Sequence, residues 1–413
     1  FSEPLSLVRF SAPPSSLAEP SWRARLSSAH AKPDPSPSYA LVDMTTTNAV
    51  TDTPALFKPM TIRGVTLRNR VVVSPMCQYS CEARDGRATD WHLVHLGGFA
   101  KGGVGLVIVE ATGVAAVGRI SPEDVGLWED AQTEPLARTV RFMHSQGALA
   151  GIQLAHAGRK GSAARPWEGD GHLSDEQGGW QPIAPSAVAF GAHLPRQPRS
   201  MELSDIQRIQ QCFVNGARRA LAAGFEWLEL HFAHGYLAHE FYSPLANQRT
   251  DLYGGCFENR IRFLLETLAA VRHVWPERLP LTARLSVTDW TTGGVTVDES
   301  IELARRLHAG GLDLLDVSHG FVTPDLSGIP WGPGFMLPIS ARIRHEAGIP
   351  TAAGWMITEA ELADRAIREE QADVIMLARE MLRDPYWPYH AAKTLGAADP
   401  GNILPVQYAR AVS

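Results

Sequence analysis

Three observations predict an α/β fold closed into a (β/α)8 barrel. Eight short apolar runs lie between Val71 and Ala378. Helix-like amphipathic stretches separate them. Polar or charged residues stand at or just after the ends of most runs, and a parallel barrel would gather such residues at its C-terminal mouth.

The runs are Val71–Ser74, Leu106–Glu110, Ala150–Gln153, Trp227–His231, Leu281–Arg284, Leu314–Ser318, Pro350–Ala353 and Val374–Ala378. Near-continuous apolar character at this length suits strands buried on both faces. Before the fourth run, Ser204–Ala223 has a helical period. Ile206, Ile209, Phe213 and Ala217 share a face, Ser204 stands at the cap position and Gly224 follows the end. A doubly wound open sheet is the alternative, but no G-x-G-x-x-G follows the first run. The stretch 158–190, with Trp167 and Trp180, is long for a connection and reads as a lid or binding loop, or else as surface decoration.

The 413 residues are 45% hydrophobic and 20% charged, enough for one large core. A net charge of −6 argues against a nucleic-acid partner. No apolar run approaches the roughly 20 residues that cross a bilayer, so no membrane partner is expected. Cys77, Cys81, Cys212 and Cys256 are sparse and lack C-x-x-C spacing. That disfavours a disulfide framework or a cysteine-held iron–sulfur cluster and suits a reducing, cytoplasmic setting. Residues 1–43 are rich in serine and proline and read as a disordered extension; residues 44–413 form the barrel domain. Two readings of 1–43 compete: a transit peptide, which would make the protein organellar, or an extended reading frame with Met44 as the start. The second is preferred, because Met44-Thr-Thr-Thr looks like an ordinary N-terminus.

Chemistry concentrates at the run ends. Ser74-Pro75-Met76-Cys77 follows the first run and Ala111 the second. Gln153 ends the third, and His231, His234 and Tyr236 close or follow the fourth. Arg284 ends the fifth, Gly354 follows the seventh, and Ala378-Arg379 close the eighth. Gly354 and Arg379 sit where such barrels hold phosphate. Arg284 reads two ways, as a cation stabilising negative charge on a bound group or as half of a structural ion pair. His231 and His234 could belong to a zinc-dependent barrel hydrolase, with His239 or Glu240. The preferred reading makes them paired N–H donors on an oxygen, with Tyr236 as a proton donor.

Several longer motifs stand in order: Ser74–Tyr79 (SPMCQY), Gln153–Lys160 (QLAHAGRK), His231–Tyr236 (HFAHGY), Asn247–Gly255 (NQRTDLYGG), Glu258–Arg260 (ENR) and Ala378–Pro385 (AREMLRDP). Together they resemble the old yellow enzyme family of flavin-dependent ene-reductases, nearest its thermophilic-like and xenobiotic reductase branch, from Leu56 to Arg410. The resemblance implies a TIM barrel that binds FMN non-covalently and takes hydride from NADPH or NADH. Ser74, Pro75, Met76, Cys77 and Ala111 would line the flavin. Gln153 and Arg284 would meet its pyrimidine edge, and Gly354, Ala378 and Arg379 its phosphate. The implied substrates are small activated alkenes, α,β-unsaturated carbonyl or nitro compounds. His231 and His234 would hold the substrate oxygen, flavin N5 would deliver hydride, and Tyr236 would donate the proton. Tyr79 and Trp331 would line the substrate pocket. Arg410 would reach a neighbouring subunit's site, implying a homodimer or a dimer of dimers. Alanine at 378, where the family more often has glycine, is a departure.

Overall fold

A computed structural model describes residues 53–412. The expectations for residues 1–43 lie outside the described residues. Eight parallel strands close a barrel: β1 (Val71–Val73), β2 (Leu106–Gly113), β3 (Leu149–Ala155), β4 (Trp227–Phe232), β5 (Leu281–Ser286), β6 (Leu314–Ser318), β7 (Thr351–Ala353) and β8 (Val374–Leu377). Neighbours in sequence are neighbours in the barrel, and β8 pairs with β1 to close it. All eight coincide with the predicted runs, with ends moved by a few residues.

Inward and outward residues alternate along each strand. Outward side chains such as Val71, Val107, Ile152, Leu228 and Leu230 join the large core under the helices. Inward ones at the barrel's lower end, Val72, Ile108, Trp227, Leu314, Val374 and Met376, form a separate apolar plug. The interior is thus packed, and the functional groups sit above the plug.

The helix between β3 and β4 spans Leu203–Ala222, starting a residue before the expected Ser204. Glu202, not Ser204, occupies the cap position, and its N–H donates to the Asp205 carboxylate at 3.1 Å. The charged acceptor three residues into the helix wins over the serine hydroxyl. The stretch 158–190 is ordered by three short 3-10 turns and a strand, Ile183–Ala184, paired with Arg199–Ser200. Among the described residues, no helix is long and apolar enough to cross a membrane.

Candidate active site

β4 carries Trp227, Glu229 and His231 on its inward face, at a two-residue period. Beyond Phe232 the backbone turns sharply, with His234 at φ +61° and Gly235 at φ +70°. A Cβ on Gly235 would lie 2.1 Å from the Phe321 carbonyl oxygen, so this turn requires glycine. The turn brings three rings together. His231 lies 5.1 Å from both His234 and Tyr236, nearly perpendicular to each.

Hydrogen bonds assign the proton of one imidazole and anchor the other. Nδ1 of His231 accepts from the Ala233 N–H at 3.3 Å, which leaves Nε2 as its N–H donor. Nε2 of His234 meets Ser318 Oγ at 2.6 Å, and Trp355 Nε1–H donates to the same oxygen at 3.1 Å. Where Ser318 donates onward to Nε2, Nδ1 of His234 is the nitrogen left with the N–H. Burial first, and then the nearby Arg284 cation, push both imidazoles well below the usual histidine range. Both are neutral donors. Burial also pushes the Tyr236 phenol well up, so it keeps its proton.

A cavity of about 730 Å³ opens beside this cluster. Its lining includes Ser74, Pro75, His234, Arg284, Trp331, Ala378 and Arg379. Arg284 donates from Nη1 to Ser74 Oγ at 2.9 Å, and its Nε lies 3.0 Å from Asp316 Oδ2. Arg284 is therefore ion-paired and also faces the cavity. The Arg379 side chain also faces the cavity and has no ion-pair or hydrogen-bond partner among the described residues. Gly354 sits just after β7, where a Cβ would meet the Met376 carbonyl oxygen at 2.6 Å. Ala111 follows an irregularity in the β2–β3 register between Val109 and Ala111. There the Glu110 carboxylate accepts from the Gln78 N–H at 2.7 Å and anchors the Ser74–Tyr79 segment. Met76 is half-buried against the core. Gln153 is buried and donates to Glu229 at 2.8 Å. Cys77 packs with Tyr79 and Tyr236 on a small apolar cluster, and burial pushes its thiol well up.

A second cavity of about 390 Å³ adjoins on the Tyr236 side. Tyr79, Tyr236, Lys160 and Phe321 line it, with Ala163, Pro166, Asp170 and Phe190 from the long loop. Phe321 belongs to both linings. Lys160, not singled out by sequence, donates to the His234 carbonyl at 2.9 Å and lies 4.8 Å from the Tyr236 ring centroid. Burial pushes it down to about 8. Its signal was present in the QLAHAGRK motif, but only folding brings it to His234. Trp331, 47% exposed, lines the larger cavity. Arg410 is exposed in the last helix and lines neither cavity. Among the described residues, no three His, Cys, Asp or Glu side chains are grouped to hold a metal, and the zinc hydrolase reading finds no support. His239, one of its proposed ligands, is instead buried 3.0 Å from Asp289.

A model of the NADH:flavin oxidoreductase / NADH oxidase family matches residues 55–397. The chain belongs to this family. It is an NAD(P)H-dependent flavin oxidoreductase of the old yellow enzyme type and uses FMN. An NADPH dehydrogenase of Geobacillus sp. (strain WCH70) is 48% identical over 355 residues, 86% of this chain and 98% of that protein. NADH:flavin oxidoreductase FG08077 of Gibberella zeae is 43% identical over 347 residues, 80% of this chain and 83% of that protein. Among solved structures, morphinone reductase aligns with a TM-score of 0.70 and 26% identity, covering 86% of this chain and 94% of that one. The old yellow enzyme homologue of Zymomonas mobilis gives 0.69 and 28%, covering 83% and 93%. A 2-naphthoyl-CoA reductase gives 0.77 and 26% over 83% of this chain; the chain spans 52% of that longer protein.

Proposed function

We propose that this flavoenzyme reduces the activated C=C bonds of α,β-unsaturated carbonyl or nitro compounds. One observation carries the reading. Two neutral imidazoles and a buried protonated phenol stand together, with His234 on the larger cavity and Tyr236 on the smaller. Binding a flavin alone would need none of the three.

The larger cavity fits FMN. Its volume lies within the range of cofactor pockets, about 300–1,000 Å³. Its unpaired Arg379 supplies a cation for phosphate. In this assignment Ser74, Pro75, Met76, Cys77 and Ala111 flank the ring. Gln153 and Arg284 meet its polar edge, and Gly354, Ala378 and Arg379 hold the phosphate. Bound there, FMN would supply the hydride-transfer chemistry between NADPH or NADH and the acceptor's β-carbon.

The chain's own residues do the rest. His231 and His234 donate to the carbonyl or nitro oxygen, and these bonds strengthen as negative charge develops on it. Their neutrality suits donation without full proton transfer. Tyr236 gives its proton to the α-carbon. Tyr79 and Trp331 wall the substrate space, and the long loop closes the Tyr79 side against water. Arg410 completes the site of a partner subunit in a homodimer or dimer of dimers.

Phenols bind such oxygen-gripping sites and give a long-wavelength absorbance change with the flavin. A phenol titration of wild type and the His231→Ala/His234→Ala double variant tests the assignment. The expected result is affinity weakened by about 100-fold, from two lost hydrogen bonds at about 1.4 kcal/mol per tenfold. Undiminished affinity in an FMN-loaded variant would overturn the oxygen-gripping role.

A further inference from the structure

We infer that Glu229 and Asp316, buried inside the barrel below the site, are positioning residues that set the charge and hydrogen-bond pattern presented to FMN through Gln153 and Arg284.

The strand period places them. Glu229 stands two residues before His231 on β4, and Asp316 two before Ser318 on β6. In the barrel register Glu229 is opposite Gln153, and Asp316 is opposite Arg284. Both acids are fully buried or nearly so. Below them lies the apolar plug of Trp227, Leu314 and their neighbours. A sealed interior thus holds two carboxyl groups against one guanidinium. With both ionised its net charge would be −1 in a medium that solvates charge poorly, so the pair retains one proton. Burial and the Asp316 charge push Glu229 up to about 8. Neither Asp316 oxygen has a hydrogen-bond partner, although Oδ2 lies 3.0 Å from Arg284 Nε.

Two consequences follow, for the buried Gln153 and for Arg284 on the cavity wall. Glu229 takes the amide N–H of Gln153 at 2.8 Å, which leaves the Gln153 carbonyl oxygen free to accept from the imide N–H of the ring. Asp316 offsets Arg284, so the ionisation of Glu229 decides whether the layer beneath FMN is neutral or negative. Bound FMN would supply the acceptor for the hydride of NAD(P)H, one proton with two electrons, and Arg284 on the cavity wall would face the negative charge that results. An ionised Glu229 then takes one proton from solvent. The charged or titratable groups facing the pair are Arg284 from β5, His231 from β4 and His234 beyond it, and both imidazoles are neutral. β3 contributes the uncharged Gln153 and β1 the uncharged Ser74, which accepts from Arg284. β2 sets Ala111 in register with Gln153, and the adjacent Glu110 is taken up by the Gln78 N–H and His92.

The test is the midpoint potential of bound FMN against pH, in the holoenzyme and in Glu229→Gln. The variant keeps an oxygen for Gln153 and removes the proton site. The curves should coincide near neutral pH. Above pH about 8 the wild-type potential should fall more steeply with pH than that of the variant. Parallel curves would overturn the inference, as would loss of FMN binding in Glu229→Gln, because an equivalent acceptor should serve Gln153. Adding Asp316→Asn to Glu229→Gln leaves Arg284 unopposed and should raise the potential at every pH; no rise over Glu229→Gln would contradict the role given to Asp316.

Discussion

Tyr236→Phe isolates one proton. The substitution removes a hydroxyl and leaves the ring, so the edge contact with His231 at 5.1 Å and the Lys160 ammonium 4.8 Å from the centroid persist. No cavity is created, and FMN should stay bound. Burial keeps the phenol protonated throughout the working pH range, so its loss removes the whole proton supply at this position. A positioned general acid contributes about 100- to 10,000-fold, or roughly 3–5 kcal/mol at about 1.4 kcal/mol per tenfold. Stopped-flow mixing of the reduced holoenzyme with 2-cyclohexenone reads the affected half-reaction. Reduction by NADPH, measured separately, should change by less than about twofold, because no proton is required from Tyr236 there. An enone half-reaction within about threefold of wild type, under a barrier argument of this size, would refute the proton-donor role.

Three further outcomes follow from the geometry. Ser318→Ala strips the partner from His234 Nε2 and from Trp355 Nε1; phenol affinity should fall about tenfold as His234 loses its fixed tautomer, with FMN content unchanged. Gly235→Ala forces a Cβ to within 2.1 Å of the Phe321 carbonyl oxygen; it should cost about 2 kcal/mol or more in urea unfolding and displace His234 and Tyr236 together, abolishing phenol binding. His144 Nε2–H donates to the Glu226 carboxylate at 2.6 Å, and that bond raises its pKa above 6.5 in the folded state. Its stabilisation is therefore full below the unfolded value and lost as pH rises through the folded one. The stability advantage over His144→Gln should be present below the ordinary histidine value and shrink as pH rises above it.

The barrel was legible because its strands are buried on both faces and so read as uninterrupted apolar runs. Leu106–Val109 and Val374–Leu377 need no partner to be recognised. The rim residues were legible for the complementary reason: an arginine or histidine ending such a run has few structural uses. The charged layer below was harder to see. Glu229 lies between Leu228 and Leu230, and within a short apolar run one acid looks like a blemish. Its meaning depends on the strand register that sets it against Gln153. Lys160 was hidden for a different reason. Its acceptors are backbone carbonyls of His234 and Phe321, on distant loops that only the closed barrel brings near. At the helix start, Ser204 was a sound cap by residue type, but the Asp205 carboxylate displaced it.

The central claim is that this site passes reducing equivalents from NAD(P)H through FMN to an activated alkene. An anaerobic visible spectrum of the purified holoenzyme tests it most directly, with NADPH added and then 2-cyclohexenone. The account predicts a flavin band that bleaches with NADPH and returns with the enone. A band that bleaches and is not restored by enones or nitroalkenes would contradict the proposed acceptor chemistry, while leaving the flavin oxidoreductase itself intact.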